Sequence, residues 1–243
     1  MEGPVVNINW GQSQRLPLND GGSDICSLVV LGDFSPVLHH PVYYAGMGVM
    51  TAKELDEVLE NATSTPELTS FRGRDWTLNC GRHRWEMEVG GDNGWERILF
   101  VLEKLDSALF AESLITAFGF NFVRSLTTPQ TESATQMYGT RLRFRGLMSV
   151  PVGSRTPEFS LKWVDDSVQK AIAFKLRSDG IGTVSVNSHH SIEGRSISKA
   201  PMAPAKFSIH ERVGEVVEQH AVGCHKIVDE FTSGLEPGKR KGS

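Results

Sequence analysis

The sequence predicts an α+β fold, with antiparallel sheets, about three helices and a long C-terminal helix packed on a sheet. Three observations carry this. Short runs with apolar residues at alternate positions recur along the chain, separated by turn-forming residues. Two segments open on a capping box, in which a Ser or Thr side chain and a Glu three residues later satisfy exposed backbone N–H groups. The apolar residues after each box return at helical spacing. Strands come in runs with helices added, which makes the pattern α+β rather than alternating α/β.

The elements follow in order along 243 residues. Residues 1–24 are polar and rich in Gly, Asn and Pro, and read as an N-terminal arm or edge strand. Residues 25–31 form a short apolar run, closed by Gly32 and Asp33, and predict a buried strand. Residues 35–50, with two prolines, are a connection. Thr51 and Glu54 then cap a short helix over about 52–61, with Leu55, Val58 and Leu59 on its apolar side. Residues 67–90 alternate locally and predict a small meander, with turns at Arg72-Gly73-Arg74-Asp75 and Cys80-Gly81-Arg82-His83. Asn93 opens a second helix striped by Ile98, Leu99, Leu102, Leu105, Leu109 and Phe110. In residues 114–122 the apolar positions repeat with period two, the clearest strand pattern in the chain.

The Thr-, Ser- and Gln-rich stretch that follows reads as a loop. Residues 128–140 are accordingly a linker between two lobes, 25–127 and 141–233; one continuous sheet carrying three helices is the alternative. The second lobe opens with four strand-like runs: 141–150, 158–164, 169–176 and 180–187. Residues 189–205 are an exposed crossover. Ser208 and Glu211 cap the last helix, striped by Val213, Val216, Val217, Ala221, Cys224, Ile227, Val228 and Phe231 and ended by Gly234. At 1.5 Å per residue it is roughly 35 Å long. Residues 234–243 are a basic tail.

Composition narrows the function classes. The apolar and Gly content is that of a globular chain with a core. A net charge of −4 excludes a globally basic nucleic-acid binder. That charge is unevenly placed. Residues 1–70 hold nine acids and two bases, a balance of −7, which leaves +3 on the remainder. Three widely spaced cysteines without a CxxC pair predict neither a disulfide framework nor a zinc ribbon. With no secretory leader and no long apolar run, a cytoplasmic location and no membrane contact are expected.

The chemistry-bearing motifs are few. There is no GxxxxGK[ST] loop, no GxGxxG and no GxSxG, so no cofactor is expected and an enzyme is not favoured. His220 and Cys224 lie four apart on the last helix and share a face, the spacing of two metal ligands. The preferred reading makes Cys224 a small hydrophobe in the apolar stripe, with His220 at its margin. Neither His39-His40 nor His189-His190 is itself a chelate, because neighbours on a strand face opposite ways. Arg141, Arg143 and Arg145 would share one strand face, where guanidinium forks suit carboxylate or phosphate. The competing reading is a solvated edge strand kept soluble by charge. Arg72, Arg74, Arg82 and Arg84 form a second basic cluster. Trp76, Trp85, Trp95 and Trp163 are read as core anchors.

Several stretches together resemble one family. An apolar first strand precedes "DWTLNCGRHRWEMEV"; the helix "NGWERILFVLEKL" feeds the strand "FGFNFVRSL"; and the last helix ends in "KIVDEFTSGLEP". This is similar to an uncharacterised, sporadically distributed family of bacterial and archaeal proteins, over about residues 25–235. That family places an Arg-Tyr-Ile-Asn-like strand after the middle helix, where this chain has Phe120-Asn121-Phe122-Val123-Arg124. The resemblance implies a compact bacterial cytoplasmic protein and brings no catalytic residues with it.

The expected function is a non-enzymatic protein-binding or assembly protein, its partner another protein or a second copy. The first alternative is a binder of a phosphorylated ligand or nucleic acid through an Arg-rich sheet face. The second is an enzyme whose site is dispersed in sequence. The acidic front is expected to cover a basic face of the body, within the molecule or across a subunit contact.

Overall fold

The first strand, β1 (Asp24–Asp33), lies between β5 (Arg84–Gly90) and β6 (Leu114–Ser125), and its alternation decides how the whole sheet uses its two faces. Cys26, Leu28 and Val30 point to one side and stand opposite Val89, Met87 and Trp85 on β5 and Phe122, Phe120 and Phe118 on β6. All nine are buried in a single hydrophobic core. Each such side chain contributes roughly 1.5–3 kcal/mol on burial. In this computed structural model the residues described are 24–110, 113–141, 158–165, 168–177, 180–192, 208–233 and 235.

The other strands are β2 (Thr63–Ser64), β3 (Leu68–Arg72), β4 (Trp76–Gly81), β7 (Glu158–Asp165), β8 (Val168–Leu176) and β9 (Gly182–Ser191). They complete one antiparallel sheet in the order β2-β3-β4-β5-β1-β6-β9-β8-β7. This is the α+β arrangement expected, with a correction to its partition. There are not two sheets in two lobes but one sheet of nine strands, and β6 pairs directly with β9 across the supposed boundary.

Five helices are described rather than about three: α1 (Pro41–Gly46), α2 (Ala52–Leu59), α3 (Gly94–Leu105), α4 (Thr128–Arg141) and α5 (Ile209–Ser233). The expected connection at 35–50 contains a 3₁₀ turn, Pro36–His39, and then α1. The expected linker is α4. Thr127 and Gln130 explain why a helix starts there: the Gln130 Oε1 accepts from the Thr127 N–H at 3.1 Å, half of a capping box. Pro129 sits in the first turn, where its missing N–H costs nothing. Thr131 Oγ1 accepts from Gly182 N at 3.1 Å and ties α4 to β9.

The α2 capping box forms as expected, Thr51 N donating to Glu54 Oε2 at 2.8 Å and Glu54 N to Thr51 Oγ1 at 3.2 Å. At the start of α5, Ser208 Oγ accepts from Glu211 N at 3.0 Å. Asp106, at the end of α3, adds a cap from outside: it accepts from Ser208 Oγ at 2.5 Å and from Ile209 N at 3.0 Å. A carboxylate there also suits the positive end of the helix dipole. The helices α3 and α5 lie on the Cys26–Leu28–Val30 face, Trp95 meeting Phe120 edge-on at 5.6 Å and His225 meeting Phe122 at 4.6 Å. Gly234 and the basic tail, except Leu235, lie outside the described residues, as does the N-terminal arm before Asp24.

One buried polar group in this core has its proton placed by its neighbours. Tyr44 is fully buried; its hydroxyl accepts from Trp85 Nε1 at 3.1 Å and lies 2.8 Å from His39 Nδ1. The indole can only donate, so the phenol proton is available to the neutral His39 ring at Nδ1. Burial pulls His39 down to about 3 and pushes the Tyr44 phenol well up. No described helix is long and apolar enough to cross a membrane.

Candidate functional site

The opposite sheet face is polar where the core face is aromatic. Pairing sets one row straight across eight strands: Ser70, Asn79, Glu86, Val29, Gly119, His189, Gln169 and Val164. A neighbouring row runs through Thr77, Glu88, Ser27, Asn121, Asn187, Ala171 and Lys162. The parts of these rows from Val29 and Asn121 out to Val164 and Lys162 border a cavity of about 560 Å³, whose lining includes Leu31, Arg84, Gly119, Gln169, Asn187 and His189.

Arg84 on β5 and Lys162 on β7 are five strand spacings apart in the sheet order. On a flat sheet that is about 24 Å. That both border one cavity means the sheet curls there, by twist and by the β-bulge between Leu31 and Gly32. Gly119 keeps the middle of the floor low. A Cβ at this position would meet Ser188 O at 2.9 Å, so the site has no room for a side chain.

The chemistry of the lining is amide, cation and aliphatic floor. None of the described lining residues is an acid. Arg84 Nη2 donates to Glu86 Oε1 at 2.9 Å. Lys162 enters no ion pair among the described residues. Asn121 Nδ2 donates to Ser27 Oγ at 3.1 Å, and this orients its carbonyl oxygen as an acceptor. Lys170 and Ser188 also border the cavity. By strand alternation their side chains go to the helix-covered face, and the Lys170 charge acts there on His190, His220 and Cys224.

His220 and Cys224 come together, Cys224 buried and His220 half-buried. Cys224 Sγ lies 3.0 Å from His220 Nε2, His220 Nδ1 lies 3.0 Å from Ser188 Oγ, and Ser188 Oγ lies 3.2 Å from His190 Nε2. His220 stacks on Phe120 at 4.7 Å and meets Trp95 edge-on at 5.6 Å. It is half-buried at the margin of the core, packed against these two rings. The chain resembles a nucleophile with its base, and its electrostatics oppose that use. Burial pulls His220 down to about 3 and pushes Cys224 up to about 12, so both stay neutral. Among the described residues no group of three metal-ligating side chains occurs. The His189-His190 doublet splits as its strand requires, His189 to the cavity and His190 stacked on Phe118 at 4.9 Å.

The arginines divide. Arg141 ends α4, which corrects its assignment to a strand; Arg143 and Arg145 lie outside the described residues. Arg72 and Arg74 flank the β3–β4 turn, whereas Arg82 and Arg84 flank the β4–β5 turn at the other end of β4. The four are thus two pairs rather than one patch. Arg74 is exposed, and Arg82 Nη2 meets Glu67 Oε1 at 2.7 Å on the surface. Of the arginines whose side chains are described, Arg84 borders the cavity. Trp76, Trp85 and Trp95 are buried anchors, whereas Trp163 is half-buried at the cavity edge.

Sequence reasoning did not single out Lys162, Asn121, Asn187 or Gly119 as site residues, and weighed His189 only as a metal ligand. The signal was the polar alternate of each strand: Asn121 lies between Phe120 and Phe122, and Asn187 follows Val186. A scan against protein-family models finds no match, and a comparison with curated proteins finds none either. The family resemblance noted above gains no support from them, and no residue role is taken from it.

Proposed function

We propose that this chain is a non-enzymatic binding protein, and that the curled polar face of its sheet takes a small phosphorylated ligand. One observation carries the reading: Arg84 and Lys162, remote in sequence and in strand order, converge on one cavity whose described lining has no acid. A phosphate takes up two cations on opposite sides through charge-assisted hydrogen bonds. Asn121, Asn187 and Gln169 add amide donors and acceptors for the rest of such a molecule. The volume of about 560 Å³ lies within the range of small-molecule sites. Free cysteines at Cys26, Cys80 and Cys224 suit a reducing compartment, and we place the protein in the cytoplasm.

Calorimetric titration with nucleoside mono- and diphosphates and with sugar phosphates tests this. Saturable binding is expected, lowered at least tenfold in the Arg84→Gln/Lys162→Gln double variant. Binding that the double variant leaves unchanged would refute the site.

A second reading, a protein partner or a second copy, is favoured by one feature. Strand β7 ends the sheet order, and it carries Leu161 at 53% and Val164 at 68% exposure. Terminal strands with exposed apolar side chains are templates for further pairing. Light scattering across a hundredfold concentration range should then show a dimer that Leu161→Lys dissociates. A monomer at every concentration would remove self-association.

A further inference from the structure

The geometry points to a second binding site, for a small zwitterion such as a free α-amino acid, in the cavity where α2, α3 and the β3–β4 turn meet. This cavity, about 660 Å³, is bordered by Val49, Met50, Thr51, Glu54, Asp75, Val89, Asn93 and Arg97. It shares no described lining residue with the sheet cavity. It does not depend on the function proposed above.

Arg97 is the reason to look there. Its guanidinium is held on three sides: Nη2 donates to Val49 O at 2.7 Å, and the group lies over Trp76 at 5.8 Å and Phe100 at 5.4 Å. Guanidinium groups fixed by aromatic faces and a backbone carbonyl are preorganised for a carboxylate. Yet Arg97 enters no ion pair among the described residues. A half-buried cation, aimed at a cavity and left without an anion, is the half-site for an acidic group.

The complementary half faces the same space. The Asp75 carboxylate makes no hydrogen bond or ion pair among the described residues. Glu54 is fixed by its capping box, with the Thr51 N–H and hydroxyl both on Oε2, so Oε1 remains open. The Thr51 backbone N–H holds Glu54 below its ordinary range, and the Arg97 charge helps. Arg97 and the two carboxylates therefore border one cavity at more than ion-pair distance. A ligand with a carboxylate at one end and an ammonium at the other bridges them where they cannot bridge themselves. Val49, Met50 and Val89 give it an apolar wall.

Ligand chemistry supplies a test that needs no variant. The full chain is titrated calorimetrically with free L-amino acids, and each binder is repeated as its N-acetyl and its amide form. At least one amino acid should bind, and both derivatives should bind at least tenfold more weakly, since each lacks one charge. Asp75→Asn, at an exposed position without side-chain partners, should also lower affinity at least tenfold with an unchanged circular dichroism spectrum. Arg84→Gln/Lys162→Gln should leave amino-acid binding as it was, which separates this site from the sheet cavity. The inference is overturned by no binding at millimolar amino acid, by a derivative that binds as well as its parent, or by Asp75→Asn binding as wild type.

Discussion

Arg124 grips Asp24 with two prongs, Nε to Oδ1 at 2.7 Å and Nη2 to Oδ2 at 2.8 Å, and so locks the start of β1 to the far end of β6. The same guanidinium reaches Asp229 on α5 at 2.6 Å and lies over the Phe122 ring at 5.5 Å. One residue thus ties the acidic front of the chain to its body and to the last helix. Glu67 with Arg82 is a second pair of this kind, on the surface. Asp24 and Glu67, of the described acids of the front, are thus paired with arginines of the body. Asp24 and Arg124 are 11% and 20% exposed, so losing Asp24 leaves a largely buried guanidinium with the exposed Asp229 as its remaining ion-pair partner among the described residues. Asp24→Ala should lower stability by about 3 kcal/mol, read from urea unfolding. A loss under about 0.5 kcal/mol would mark the pair as an ordinary surface bridge.

Gly119 should tolerate no side chain. The Cβ of Gly119→Ala would meet a backbone oxygen, Ser188 O, at 2.9 Å, and two paired strands have little freedom to part. Overpacking of this kind costs about 1–3 kcal/mol. Gly214→Ala, with nothing within 4 Å of the added atom, is the control and should not destabilise. Equal stability of the two variants would contradict the packing at β6–β9.

Buried neutral histidines should make the protein acid-sensitive. Burial holds His39 at about 3, against 6.5 for the free ring. Between those values the unfolded chain binds a proton that the native chain does not, so falling pH favours unfolding. From pH 7 to pH 5 the loss is about 2 kcal/mol for His39. His220, held low by the same cause, adds in the same direction. Urea midpoints at the two pH values read this, and His39→Gln should flatten the dependence. An unchanged midpoint would show that His39 is not desolvated.

The thiols should be silent in the folded protein. Cys26 and Cys224 are pushed up to about 12 and Cys80 is raised further by burial, so almost no thiolate exists at neutral pH. A disulfide-exchange reagent at pH 8 should label none of the three before unfolding and all three in guanidinium. Rapid labelling of Cys224 in the native state would revive the nucleophile reading of its contact with His220.

How much of this was legible before the fold depended on how local the cause is. The Thr51–Glu54 box and the Phe118–Phe120–Phe122 alternation are complete within a few residues, and α2 and β6 follow from them. The start of α4 was local too, in Thr127, Pro129 and Gln130, but polar residues on most of its surface hide the apolar stripe by which helices are recognised. Ala134 and Thr131 are buried only because β9 lies beside them. The cavity was not legible at all, because Arg84, Gly119 and Lys162 meet only after six strands have paired and curled. The tight packing of His220 likewise needed Ser188 from a strand that no helix pattern announces.

The central claim is that the curled face of the sheet binds a phosphorylated ligand between Arg84 and Lys162. Its most direct test is the affinity of the full chain for whichever phosphorylated ligand binds it, measured by calorimetry with Arg84 and Lys162 intact and with both changed to Gln. The account predicts saturable binding to the native chain and at least a tenfold loss in the double variant, with its unfolding midpoint preserved. Absence of saturable binding to the native chain, or equal affinity in the two proteins, would contradict it.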